Sequence, residues 1–180
     1  MVHQLFRAGL ATLLLLGNLA LASCDTQPHI RTLAPDAVVL AFGDSLSAGY
    51  RLPPEHSFPR QLQAKLRGLG HDVRVDNAGV SGDTTAGGRR RLGWALKEKP
   101  DLVILELGAN DALGGIKPSE TLKNLDAIMA ELKKQGVRVL LTGMFAPPNM
   151  GRSYASEFDS IFPLLARRYE ADFYPFFLTG

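Results

Sequence analysis

Three short runs, AVVLAF at 37–42, DLVILELG at 101–108 and VRVLLTG at 137–143, are apolar nearly throughout, and DVRVDN at 72–77 and ADFYPFF at 171–177 recur beside them. A strand with one wetted face alternates polar and apolar residues, so a run without alternation reads as a strand buried on both faces. Between the runs the apolar spacing becomes helical: Phe58, Leu62, Leu66 and Leu69 behind Ser57; Leu122, Leu125, Met129 and Leu132 behind Ser119, closing at Gly136; Tyr154, Phe158, Phe162 and Leu165 behind Ser153. Each set shares one face of a helix. A weaker helix over 84–97 carries Gly87, Gly88 and Gly93, each of which counts against it. Pro163 is expected to bend the last helix. Strands alternating with helices through short links imply right-handed crossovers and a parallel sheet with helices on both sides, an α/β fold.

Composition narrows the classes further. The 180 residues carry 20 Lys plus Arg against 18 Asp plus Glu, a net charge of +2, which argues against a partner that is tracked by its phosphates, such as nucleic acid. With 46% apolar residues and one cysteine, the chain is long enough to bury one core and has no disulfide within itself. Residues 1–23 carry Arg7 as their single charge, and the stretch 8–22 (AGLATLLLLGNLALA) has the layout of a secretory signal, too short to span a bilayer comfortably. Cys24 follows Leu21-Ala22-Ser23, which resembles the lipobox of bacterial lipoproteins, where the cysteine is acylated; cleavage after Ala22 is the alternative. Both readings export the mature protein, to the periplasm or to a membrane anchor. Residues 24–36, with Pro28 and Pro35, read as a linker, and 37–180 as the folded domain.

In a parallel sheet every strand's carboxyl end opens on one edge, and the loops there gather the chemistry. After the first strand comes GDSLSAGY (43–50), after the second NAGVSGDT (77–84), and after the third GANDAL (108–113). Each has a bland account: Ser45 as a helix N-cap, Gly82 as a turn glycine, Asn110 as an Asx-turn former. Arg89-Arg90-Arg91 reads as a solvated helix face, and the Phe173 to Phe177 cluster as core.

Taken together, Gly43-Asp44-Ser45-Leu46, Gly82 in Ser81-Gly82-Asp83-Thr84, and Gly108-Ala109-Asn110-Asp111 resemble the first three blocks of the SGNH (GDSL) hydrolase superfamily. The longer stretches GDSLSAGY, SGDTT, ELGANDAL and APPNMG (146–151) are similar to its bacterial acyl-CoA thioesterase I and arylesterase branch, and the resemblance covers 37–179. It implies a flavodoxin-like three-layer fold, strand order 2-1-3-4-5, and hydrolysis of esters, thioesters or lysophospholipids without metal or organic cofactor. Ser45 would then be the nucleophile, with its own N–H, that of Gly82 and the Asn110 side-chain amide as an oxyanion hole. Asp44 is assigned to tying the loop together. By loop position Tyr50, Leu113, Pro148 and Asn149 are candidates to line the acyl groove. Gly43-Asp44-Ser45-Leu46-Ser47 lacks the second glycine of the G-x-S-x-G elbow.

The family's last block is an Asp-x-x-His pair after the fifth strand, and Phe177-Leu178-Thr179-Gly180 does not reach one. Of the four histidines, His3 falls in the leader, His29 in the linker and His71 at the amino edge of the sheet; only His56 is near enough in sequence to approach the cleft. Two-sided strands also need more cover than the helical patterns supply, so a C-terminal helix is expected to be missing and apolar sheet exposed. The expectation is an incomplete version of a longer hydrolase, monomeric when complete, which an intact mass larger than this sequence allows would support. A ligand-binding protein without turnover is the alternative. A nucleotide binder ranks last, because no G-x-x-x-x-G-K or G-x-G-x-x-G occurs.

Overall fold

The computed structural model describes residues 32–179. The leader and Cys24 lie outside the described residues. Five parallel strands, β1 (Val38–Gly43), β2 (Arg74–Asn77), β3 (Leu102–Glu106), β4 (Arg138–Thr142) and β5 (Asp172–Tyr174), form one sheet in the order β2-β1-β3-β4-β5. The helices are α1 (Ser45–Ala48), α2 (Phe58–Gly68), α3 (Thr85–Ala95), α4 (Ala109–Leu113), α5 (Pro118–Lys134), α6 (Arg152–Asp159) and α7 (Ile161–Tyr169). None of the described helices is long and apolar enough to cross a membrane.

Alternate residues of each strand divide between two unequal cores. Leu40, Phe42, Val103, Leu105, Val139 and Leu141 face one side, where α3, α5, α6 and α7 add Leu92, Leu125, Ile128, Met129, Phe158, Phe162 and Leu165. Fully burying each such side chain contributes about 1.5–3 kcal/mol. Val39, Val75 and Ile104 face the other side, covered by Phe58, Leu62 and Leu66 of α2, with Leu33 joining them. There Leu102 and Leu140 stay half-buried. The segment after β5 folds back so that Phe177 meets Phe58 edge-on, ring centroids 5.0 Å apart.

Several expectations change in detail. The fifth strand is only three residues long, and as an edge strand it leaves Phe173, Phe176 and Phe177 half-buried, with Tyr174 exposed; they flank the core rather than fill it. Leu69 is 64% exposed, because α2 has ended and the residue no longer shares its apolar face. Pro163 accompanies a break rather than a bend: α6 stops at Asp159 and α7 restarts at Ile161. A proline lacks the N–H that would bond the fourth residue back, here Asp159, and its ring crowds that carbonyl. The helix over 84–97 forms despite its glycines. Gly88 is pressed on Leu107 and Phe42, where an added Cβ would stand 2.3 Å from the Leu107 side chain, so the glycine is what lets α3 approach the sheet.

Candidate active site

The site is built where β1, β2 and β3 end. Asp44, not Ser45, caps α1: its Oδ1 accepts the Leu46 N–H at 3.0 Å, and Ser45 occupies the first helical position. Ser45 therefore keeps an N–H with no intrahelical acceptor. Its hydroxyl leans on Asp44 Oδ1 at 3.5 Å. The loop after β2 lies against this turn. An added Cβ on Gly79 would stand 2.2 Å from the Ala48 nitrogen, so backbone packs on backbone. Gly82 is exposed at φ +81°, a left-handed conformation that glycine adopts without strain. No hydrogen-bond partner for its N–H occurs among the described residues.

Asn110, on α4, joins the two loops. Its Nδ2 donates to Asp44 Oδ2 at 2.9 Å and to the Asp83 carbonyl at 2.9 Å. Both neighbours are acceptors, which decides which amide atom faces them. One side chain thus links the turn that carries Ser45, through Asp44, to the Asp83-Thr84 peptide that follows Gly82, and both of its amide protons are engaged there. Burial pushes the Asp44 carboxyl above its ordinary range, opposed by its bonds to Leu46 and Ser45.

Two groups that hold this edge together escape the sequence reading. Arg91 is not part of a solvated face: Arg89 and Arg90 are exposed, but the Arg91 side chain is 19% exposed. Its Nε pairs with Asp83 Oδ2 at 2.7 Å, one terminal nitrogen donates to the Ala78 carbonyl at 2.7 Å and the other to the Gly43 carbonyl at 2.9 Å. The guanidinium also lies 4.0 Å from the Phe42 ring centroid. A planar fork is needed to reach three acceptors at once, so lysine could not replace it. The available signal was spacing, since Gly87, Gly88, Leu92 and Ala95 mark the buried face of α3 and Arg91 stands on its border. Asp111 is the second: fully buried, it accepts from the Thr85 N–H at 2.8 Å and the Thr121 hydroxyl at 3.2 Å, tying α4 to α3 and α5.

The remaining candidates lie on the same edge or away from it. Tyr50 is 58% and Leu113 71% exposed, and Pro148 and Asn149 are exposed in the single turn Pro148–Met150 after β4. Helix α6 meets the link between α4 and α5, with the Tyr154 hydroxyl donating to the Ile116 carbonyl at 2.7 Å. His56 and His71 are exposed, and neither is hydrogen-bonded to Ser45. His71 precedes β2, at the opposite edge of the sheet from Ser45.

A parallel sheet in this order, with a serine turn after its first strand and glycine and asparagine loops after the next two, has the layout of an acyl hydrolase. The chain belongs to the GDSL-like Lipase/Acylhydrolase family, whose profile matches residues 41–179. It is 43% identical over 141 residues to an arylesterase of Vibrio mimicus, covering 78% of this chain and 70% of that protein. Over 149 residues it is 38% identical to the thioesterase 1/protease 1/lysophospholipase L1 of Escherichia coli K12, covering 82% and 70%. The crystal structure of AlinE4, an SGNH-hydrolase family esterase, superposes with a TM-score of 0.78 at 49% identity, over 82% of this chain and 79% of that one.

Proposed function

We propose that this protein is an exported hydrolase that cleaves acyl esters, thioesters or lysophospholipids through an acyl-Ser45 intermediate. The observation that carries the reading is the Asn110 amide, bonded at once to Asp44 and to the Asp83 carbonyl. It ties the turn that carries Ser45 to the loop that carries Gly82 and adds a neutral side-chain donor, the groups that acyl transfer requires. Ser45 Oγ attacks the acyl carbon, and the carbonyl oxygen takes up the negative charge against the N–H groups of Ser45 and Gly82. Asn110 joins them by sharing the proton it gives to Asp83. The bond to the leaving oxygen or sulfur then breaks, and water releases the acyl group. Asp44 is committed to Leu46 and Asn110, so the acceptor of the Ser45 proton is another group. The family resemblance assigns that role to the imidazole of an Asp-x-x-His pair, which residues 1–180 do not contain. The signal layout of residues 1–23 supports export, ending either in a lipid anchor on Cys24 or in release to the periplasm after cleavage behind Ala22.

A second reading, a cleft that binds acyl ligands without turning them over, is favoured by one contact. The Ser45 hydroxyl faces a carboxylate 3.5 Å away rather than an imidazole. Hydrolysis of a short p-nitrophenyl ester and covalent capture of a fluorophosphonate probe separate the two. Turnover and a probe adduct that both vanish in Ser45→Ala support the hydrolase. A folded chain with neither activity leaves the binding reading standing.

A further inference from the structure

Glu106 closes the apolar run of β3 and takes no part in the chemistry described so far. It is 1% exposed. In register it stands opposite Gly43, the last residue before the serine turn, and a Cβ added there would stand 2.4 Å from Glu106 Oε2. That Oε2 accepts the Ser47 hydroxyl at 2.8 Å and the Asp44 N–H at 3.2 Å. The carboxyl therefore holds both ends of the segment that presents Ser45. Its other oxygen, Oε1, is buried without a partner.

Among the described residues no cation balances this group. Arg91 is committed to Asp83, Ala78 and Gly43. Among the elements around it, the turn before α1 presents the Asp44 carboxylate, α1 presents Ser47, and β4 ends in Thr142, whose hydroxyl donates to the Leu105 carbonyl. Burial first, and the neighbouring Asp44 carboxylate second, push the Glu106 carboxyl up to about 8. A neutral carboxyl suits the geometry, since Oε2 serves the two donors as an acceptor and the unpartnered Oε1 is costlier to bury with a charge than without one.

We propose that Glu106 is a positioning residue for Ser45: as a neutral carboxyl it pins the turn from Asp44 to Ser47, and on losing its proton it sets a second buried charge against Asp44 and disturbs the Asp44–Asn110 link. The inference rests on the reading of Ser45 as nucleophile. Its consequence is a site that works best below the ionisation of a group that never touches substrate.

The test follows the backbone amide signals of Asp44, Leu46 and Ser47 by NMR from about pH 6 to about pH 10, in the full chain and in Glu106→Gln, which mimics the neutral acid. The wild-type signals are expected to move together with a midpoint near 8, and the Glu106→Gln signals to lack that inflection. Ser47→Ala removes a bond that favours the ionised form, so it should raise the midpoint. Where Ser45-dependent hydrolysis is measured, kcat should fall through the same midpoint in wild type with KM unchanged, and the Glu106→Gln profile should lack that fall. Identical titration of wild type and Glu106→Gln, or no rise in Ser47→Ala, overturns the proposal. Absence of turnover in every variant counts against the hydrolase reading alone, because the amide titration still decides the role of Glu106.

Discussion

The interior of the sheet and its carboxyl edge are stabilised in opposite ways, although a single residue separates them on β3. Val103, Ile104 and Leu105 bury hydrocarbon against helices; Glu106, the next residue, buries a carboxyl against a turn. The interior gains from area, which is indifferent to direction and tolerates exchange of shapes at constant volume. The edge is held by directed bonds made by Asp44, Asp83, Arg91, Glu106, Asn110 and Asp111, where a lost partner leaves a buried polar group unsatisfied. Damage to the first should appear as lost stability, and damage to the second as lost geometry at Ser45.

The largest expected effect breaks that division, because Glu106 couples the edge to the stability of the whole chain. Unfolded it titrates near its ordinary 4.5, and folded near 8. Between those values the unfolded chain has released the proton that the folded chain retains, so stability falls as pH rises and levels off above the folded value. The fall is on the order of 5 kcal/mol. Urea unfolding across this range should show it in wild type and not in Glu106→Gln; parallel curves would remove Glu106 from the account. Next comes Phe158→Ala in the larger core, expected to cost about 3–5 kcal/mol in the same assay. Probe capture by the still-folded protein should be unchanged.

Arg91→Lys keeps the charge and loses the fork. A drop of about tenfold in probe capture is expected, with about 1–3 kcal/mol of stability lost. Retention of full reactivity would show that the three carbonyl and carboxylate contacts of Arg91 do not set the loop geometry. Leu62→Ala, on the thinly covered side of the sheet, should cost least, about 1 kcal/mol, because the side chain is only half-buried. A cost equal to that of Phe158→Ala would mean that the two sides are packed alike.

The contrast also explains what could be read before the structure. Runs such as AVVLAF and DLVILELG announce two-sided burial through composition, so the strands followed, as did the loops that carry Ser45, Gly82 and Asn110, while the strand order came from the family resemblance. The edge was less legible. Spacing sets Arg91 only on the border of the buried face of α3, and its inward turn depends on acceptors at Gly43 and Ala78 far away in sequence. Asp44 displaced Ser45 as the cap because its longer side chain serves Leu46 and Asn110 together. Gly87 and Gly88 counted against a helix by propensity and are instead where α3 meets its neighbours without room for a side chain, Gly87 against Asp83 and Gly88 against Leu107 and Phe42. Leu69 fitted the helical spacing, but the helix ends before it.

The bond from Asn110 to Asp44 spans 66 positions of chain, and that from Ser47 to Glu106 spans 59. β1 and β3 are neighbours in the sheet, yet β2 and two full helices are made between them. No hairpin or single crossover can assemble the serine turn with its amide partner; closing so long a loop is an entropically demanding step that folding reaches late. A nascent chain emerging from the ribosome therefore presents Ser45 well before Asn110 exists to meet it. On the reading proposed for Ser45, reactivity toward an acyl group is then acquired no earlier than the docking of β3 beside β1, and its appearance would time that event more sharply than the growth of helix signal.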